Sequence, residues 1–226
     1  MPASLPGRRL LPEATVRRLP LYLRALVDAG GDQEATVSSE ELASRAGVNA
    51  AQVRKDLSYL GSYGTRGIGY DTRALSQHLR RELGLEHDYN VALVGAGNLG
   101  RALGHYRGFA ERGFHVVAAF DTDPAKVGGH IGTAEIFPME DLGRVVRQKG
   151  ITMALVATPA AVAQEVVDRL VEAGVTSLLN FAPALLKVGA NVSLQKVDLA
   201  VELQILSYYD SSLRSGPTFA AQSVPS

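Results

Sequence analysis

The sequence predicts an α/β protein: an N-terminal winged-helix domain, then a doubly wound parallel sheet, then a C-terminal dimerisation helix. Three observations predict it. Val91-Ala-Leu-Val94 is a short apolar run leading into Gly95-Ala-Gly97-Asn98-Leu99-Gly100, a G-x-G-x-x-G, and then a helix start. That strand–glycine–helix context separates a Rossmann-type dinucleotide site from a chance glycine match. Upstream, Val37–Ala43 and Ala51–Ser58 read as two short helices joined at Gly47, the pattern of a helix-turn-helix. From residue 90 onward apolar runs alternate with helical stretches, as expected of a parallel sheet covered on both faces.

Composition narrows the class. The chain has 226 residues, 46% hydrophobic and 20% charged, room for one large domain or two small ones. No apolar run approaches the roughly 18 residues of a membrane span, and the N-terminus lacks the order of a signal peptide, so a cytoplasmic protein without membrane association is expected. The absence of cysteine excludes disulfides, thiolate catalysis, iron–sulfur clusters and cysteine-ligated zinc; no metal site is expected. The formal net charge is zero, but residues 1–85 carry +3 and residues 86–226 carry −3, the signs expected if the first half meets phosphate and the second a small molecule.

In the first half, Leu19, Leu23 and Leu26 mark a helix from near Pro12 to Ala29, with Pro20 predicting a kink or a late start and Gly30-Gly31 its end. Ser38 and Glu41 form a capping box for the second helix, whose Leu42 and Ala46 face inward. Asn49 caps the third helix, in which Val53, Leu57 and Leu60 form the buried stripe. The opposite face carries Ala51, Lys55 and Ser58, flanked by Gln52, Arg54 and Tyr59. Gly61–Tyr70, with four glycines in nine residues, reads as a tight hairpin or wing. Leu75, Leu79 and Leu83 mark a further helix that Gly84 stops, and Glu86–Tyr89 is a linker.

In the second half, strands are expected at Val91–Val94, Val116–Phe120, Thr152–Ala157, Ser177–Asn180 and Asn191–Val197. Helices are expected near 98–111, 139–149 and 161–173, with a last amphipathic helix over Leu199–Ser212.

The glycine loop prepares a pyrophosphate site. Gly95 permits the tight turn, Gly97 lets backbone approach the phosphates, and Gly100 lets helix pack on strand, with Asn98 and Leu99 opening that helix. Free amides and the dipole there favour an anion. Asp121 ends the second strand, where an acid accepts from the adenosine ribose, and Asp123 is nearby. No basic residue is expected beside either acid to welcome a 2′-phosphate, which favours NADH and NAD+ over their phosphorylated counterparts. Thr158-Pro159 and Asn180-Phe181 follow later strands and so border the same edge. An outward helical face bearing Gln52, Arg54, Lys55, Ser58 and Tyr59 suits base edges and phosphates, and Arg66 at the hairpin tip suits phosphate or a narrow minor groove.

With these motifs in place, the chain resembles the Rex family of bacterial redox-sensing transcriptional repressors. The matching stretches are Pro20–Arg24, Val37–Ala43, Ala51–Ser58, Gly64–Tyr70, Leu93–Gly100, Phe120–Pro124, Asn180–Pro183 and Val197–Leu199, within residues 12–210. The resemblance implies a homodimer that binds an inverted-repeat operator when NADH is scarce and releases it when NADH binds, with the C-terminal helix crossing to the partner subunit. It also implies that Tyr106 lies near the nicotinamide and that Arg24, Tyr106 and Asp198 form a switch. The implied organisation is residues 1–85 as the DNA-binding domain, 86–198 as the NAD(H)-binding domain and 199–226 as the exchanged helix and tail.

Two other readings stay open on residues alone. A small NAD-dependent oxidoreductase needs a proton donor facing the nicotinamide, and His78, His87, His105, His115 and His130 form no evident catalytic constellation. A module for coenzyme A or another nucleotide is the third, because a fold does not fix its ligand. No catalytic residue is expected on the sensor reading.

Overall fold

A computed structural model of the protein describes residues 11–28, 36–61, 64–65 and 68–214. The chain divides into two compact units: one runs to Asp88 and takes in Glu111–Gly113, the other comprises Tyr89–Ala110 and the chain from Phe114 onward.

The first unit opens with α1 (Glu13–Asp28), β1 (Thr36–Val37), α2 (Ser39–Ala46) and α3 (Ala50–Leu60). Helix α1 starts at Glu13, so the late start expected from Pro20 is not taken. Pro20 has no amide hydrogen to donate to the Val16 carbonyl; both residues are exposed, so the missing bond lies on the solvent side of α1. Gly30-Gly31, expected to end α1, lies outside the described residues. The α2 capping box forms as expected: Glu41 N donates to Ser38 Oγ at 3.1 Å and Ser38 N to Glu41 Oε2 at 2.8 Å. Asn49 caps α3 by accepting from Gln52 N at 2.8 Å. Leu19, Leu26, Leu42, Val53 and Leu57 meet in one core, with Leu60 at its margin.

The hairpin joins β2 (Gly64–Thr65) antiparallel to β3 (Gly69–Asp71), in register Gly64 with Tyr70. Strand β1 adds to the other side of β3, an element too short for a two-residue alternation to reveal. Gly69 adopts φ +101°, and a Cβ there would lie 2.5 Å from the Val37 carbonyl oxygen; close strand approach and the left-handed backbone both require glycine. Asp71 then caps α4 (Thr72–Glu82), whose Leu75 and Leu79 return to the core.

The second unit comprises β4 (Tyr89–Val94), α5 (Asn98–Gly104), α6 (Arg107–Ala110), β5 (Phe114–Asp121), β6 (His130–Ile131) and β7 (Ala134–Pro138). It continues with a 3-10 turn (Met139–Asp141), α7 (Leu142–Gln148), β8 (Met153–Val156), α8 (Ala160–Glu172), β9 (Ser177–Asn180), β10 (Ser193–Lys196) and α9 (Leu199–Arg214). Among the described residues the strand order is β10-β9-β8-β4-β5-β7-β6, parallel throughout except where β6 pairs with β7. Numbered from the start of the unit without β6, this is the 3-2-1-4-5-6 order of a Rossmann fold. Alternation along β4 sends Ala92 and Val94 to one core with Val145, Val167 and Leu170, and Val91 and Leu93 to the other with Leu103 and Phe109.

Three expectations are corrected. The helix expected over 98–111 breaks into α5 and α6 at His105-Tyr106. The His105 ring bonds back to Arg101 O at 2.7 Å through Nδ1 and accepts from Gly132 N at 3.2 Å through Nε2, which ends α5 and ties it to the β6–β7 turn. Strands β6 and β7 were not expected, because two- and five-residue strands around Gly132 carry little periodicity. The helix expected from residue 139 begins as a 3-10 turn. Helix α9 is exposed at every residue from Leu199 to Ser211, including Leu203, Ile205, Leu206, Tyr208 and Tyr209. Among the described residues no helix is long and apolar enough to cross a membrane.

Candidate functional site: a dinucleotide crevice and a helix-turn-helix face

Strands β4 and β8 are adjacent in the sheet but their following helices, α5 and α8, run to opposite directions of strand order, so a crevice opens at their carboxyl ends. A cavity of about 680 Å³ lies there. Its wall includes Gly95, Gly97, Asn98, Leu99, Asp121, Asp123, Thr158, Pro159 and Phe181. Gly100, Tyr106 and Asn180 are not part of that wall.

Each glycine does separate work. Gly95 has φ +100°, and a Cβ would lie 2.5 Å from the Ala157 carbonyl oxygen, so only glycine lets β4 and the loop after β8 approach. Gly97 has open space where a Cβ would project, which leaves its backbone accessible from the cavity. At Gly100 a Cβ would strike the Gly95 carbonyl oxygen, so α5 packs tightly beneath the turn.

Asp121 is tied into this loop. Its carboxylate accepts from Ala96 N at 2.7 Å, from Asp123 N at 2.9 Å and from Lys126 Nζ at 3.2 Å. Burial pushes its pKa up, but the Asp123 and Ala96 amides and then Lys126 outweigh burial and hold it below the usual carboxylate range. Lys126 also lies 3.6 Å from Asp123. The expectation that no basic residue stands beside these acids is therefore wrong: the turn closed by Lys126 N on Asp123 O folds the lysine back onto both. Two carboxylates over one ammonium still leave this cluster net negative, which disfavours a 2′-phosphate.

Thr158 Oγ1 is a buried hydroxyl with no hydrogen-bond partner among the described residues, on a residue of the cavity wall. Such an atom calls for a ligand or a water. Asn180 is buried and spends its amide inside its own turn, donating to Ala182 O at 3.1 Å and accepting from Ala182 N at 2.9 Å. The turn so shaped presents Phe181 and Pro183 to the cavity.

The residues of the expected switch each have a local environment. Tyr106 is exposed between α5 and α6, edge-on to Phe109 at 5.0 Å. Asp198 accepts from Lys196 Nζ at 3.0 Å and from the Ala200 and Val201 amides, and these bonds, that of Lys196 first, hold its carboxyl below the usual range. Arg24, in the other unit, lies 3.4 Å from Asp28. Asp198 is half-buried and caps the start of α9.

On α3, Lys55, Ser58 and Arg54 are exposed, and Gln52 and Tyr59 half-buried. The Lys55 ammonium makes no hydrogen bond or ion pair among the described residues, whereas two of its neighbours are engaged. Gln52 Nε2 donates to Asp56 at 2.9 Å, and Arg54 Nη1 donates to Glu40 Oε1 and to Ser39 Oγ, each at 2.9 Å. Arg66 lies outside the described residues.

Sequence reasoning missed the cluster beneath this face. Asp56 is fully buried and accepts from Thr15 Oγ1 at 2.9 Å, Arg18 Nε at 2.6 Å, Arg18 Nη2 at 2.9 Å and Tyr22 OH at 2.7 Å, besides Gln52. Burial raises its pKa, but Arg18, Tyr22, Thr15 and Gln52 together bring it down to about 2. Burial, then the hydrogen bond to Asp56, pushes the Tyr22 hydroxyl well above its ordinary value. The available signal was an acid inside the apolar stripe of α3, facing polar residues at i, i+3 and i+7 on α1.

A winged helix-turn-helix unit and a Rossmann sheet in one chain define a class: DNA-binding folds joined to dinucleotide-binding folds. Comparison with known proteins narrows it. The family described as "CoA binding domain" matches residues 86–184, and that described as "Putative DNA-binding protein N-terminus" matches residues 11–58. The redox-sensing transcriptional repressor Rex of Streptomyces griseus is 53% identical over 214 residues, 95% of this chain and 84% of its own. That of Carboxydothermus hydrogenoformans is 48% identical over 198 residues, 88% of this chain and 95% of its own. Among solved structures, the Rex-family repressor RSP in complex with β-NAD+ and operator DNA superposes with a TM-score of 0.86 at 33% identity, over 96% of this chain and all of that one (100%). RSP in complex with β-NADH gives 0.81 at 34% identity, over 92% of this chain and 97% of that one. The chain belongs to the Rex family of redox-sensing transcriptional repressors.

Proposed function

We propose that this chain is a repressor that binds operator DNA as a homodimer and releases it when NADH occupies the crevice. The observation that carries the reading is the crevice itself. A glycine turn, an accessible Gly97 backbone and an ionised Asp121 meet at a topological switch point, in a chain that also carries a helix-turn-helix. RSP, similar over nearly the whole chain, has been solved with β-NADH and with β-NAD+ plus operator DNA, which supports the reading.

In this reading residues 1–85 bind DNA, 86–198 bind NADH or NAD+, and 199–226 join two subunits. Gly95 to Gly100 receive the pyrophosphate and Asp121 the adenosine ribose, with Asp123 and Lys126 setting the charge around it. Thr158, Pro159 and Phe181 flank the nicotinamide half, and Asn180 acts by shaping the loop that carries Phe181. Lys55, Ser58, Tyr59 and Arg66 address DNA directly, and Gln52 and Arg54 address it on leaving their present partners. Tyr106, Arg24 and Asp198 form the switch, with Tyr106 beside the nicotinamide. The exposed apolar residues of α9 meet a second copy of the chain. The protein acts on DNA in the cytoplasm and without catalysis.

The test is operator-length DNA binding at fixed salt, titrated with NADH and separately with NAD+. NADH releases the DNA at concentrations where NAD+ does not. DNA affinity indifferent to both would return the crevice to an enzyme or to another nucleotide.

A further inference from the structure

An arginine on a recognition helix serves two opposed ends. Its guanidinium is a strong ligand for any DNA phosphate, and phosphate attraction carries no sequence information. An arginine whose charge is already held by a carboxylate must give up that ion pair before it engages DNA of any sequence. Arg54 is in that position, and the structure shows where its charge goes.

Arg54 Nη1 donates to Glu40 Oε1 and to Ser39 Oγ, each at 2.9 Å, and Ser39 Oγ donates to Glu40 Oε2 at 3.1 Å, which closes a three-residue ring. Ser39 is buried at the start of α2, so the ring is anchored. Glu40 is held below the usual carboxylate range, by its own backbone amide first and then by Arg54 and Ser39, and it stays charged. The side chains are still 54% and 68% exposed, so a phosphate can reach and compete. Glu40 takes no part in the capping box, which belongs to Ser38 and Glu41. Lys55, one residue on, has no such partner among the described residues.

We propose that Glu40 sets the DNA affinity of α3: it holds Arg54 in an ion pair that DNA must break before Arg54 can engage. Random phosphates meet Lys55 with Arg54 neutralised. An operator, which places bases and phosphates well for the whole helix, supplies enough to exchange the pair. This inference rests on the DNA-reading role of α3.

The experiment compares wild type, Glu40→Gln, Arg54→Ala and the double variant, on operator and on random duplex of equal length, across a salt series. Glu40→Gln is expected to tighten random-duplex binding about two- to fivefold per recognition helix, the range of an exposed ion pair. Its log–log salt slope should steepen by about 0.9 for each further phosphate that the freed arginine neutralises. Operator affinity tightens by at least as much, because in wild type the operator complex bears the full cost of breaking the pair, so the specificity ratio does not fall. Glu40→Gln also removes a negative charge close to DNA, and the Arg54→Ala background separates the two causes: if Glu40 acts through Arg54, the substitution has no effect there. Equal tightening in both backgrounds, or an unchanged random-duplex affinity and slope, overturns the proposal. Wild type that binds neither duplex overturns the DNA-reading role of α3, and the guard with it; wild type that binds operator while Glu40→Gln binds both duplexes with unchanged affinity overturns the guard alone.

Discussion

Asp56 lies at 0% exposure between two helices, where an unpaired carboxylate would take up a proton rather than remain charged. Four side chains keep it ionised, and its pKa falls from 3.8 to about 2. The depressed folded value means that the stabilisation is full above the unfolded pKa and is lost as pH falls through about 2. The shift corresponds to about 2 kcal/mol. Hydrogen exchange of the α1 and α3 amides should therefore accelerate between pH 4 and 2 in wild type, beyond the trend of α8. Asp56→Asn should lower the protection of those amides near neutral pH by about 3 kcal/mol, the cost of breaking a buried pair, and should flatten the acid limb. Equal protection in the variant at pH 7 would remove the clamp from the account. At this scale the sequence was uneven: Gly95, Gly97 and Asp121 were legible because fixed offsets from a strand carry their roles. Lys126 on Asp121, and Arg54 on Glu40, arise from a turn and from helix packing, which no offset encodes.

Elements read from the sequence held where a cap or a period specified them: the Ser38–Glu41 box, the Asn49 cap, and Ser177–Asn180 as a strand. They failed where a side chain overrode helix propensity, as His105 does in ending α5, or where a strand was too short for a period, as in β1, β6 and β7. Helix α9 is the element whose role, in the proposed function, depends on a second copy of the chain. Its Leu203 and Leu206 are 67% and 61% exposed, so replacing both with Glu leaves the core of the single chain intact. On the proposed homodimer, the double variant should sediment as a monomer where wild type is a dimer. It should lose about a hundredfold or more in operator affinity, because two half-sites no longer bind together. NADH affinity is expected to persist within a few fold. A variant that stays dimeric would place the subunit interface elsewhere.

Across the whole molecule, the proposed function is a coupling free energy, and coupling is reciprocal: the factor by which NADH weakens operator binding equals the factor by which operator weakens NADH binding. A residue of the switch differs from a residue of either site in that its loss changes this factor and neither affinity alone. Asp198 offers the sharpest case, because its carboxylate is engaged locally by Lys196 and the first amides of α9. As a cap alone, Asp198→Ala would cost about 1 kcal/mol of helix stability and leave the coupling factor intact. As a switch residue, it exchanges partners between two arrangements, and a two-state element biased by both ligands loses its bias when the exchanged group is removed. The measurement is NADH affinity with and without saturating operator, in wild type and variant. In Asp198→Ala the two NADH affinities should converge while each ligand still binds alone. Two affinities that remain as far apart as in wild type would confine Asp198 to capping α9 and move the switch to other residues.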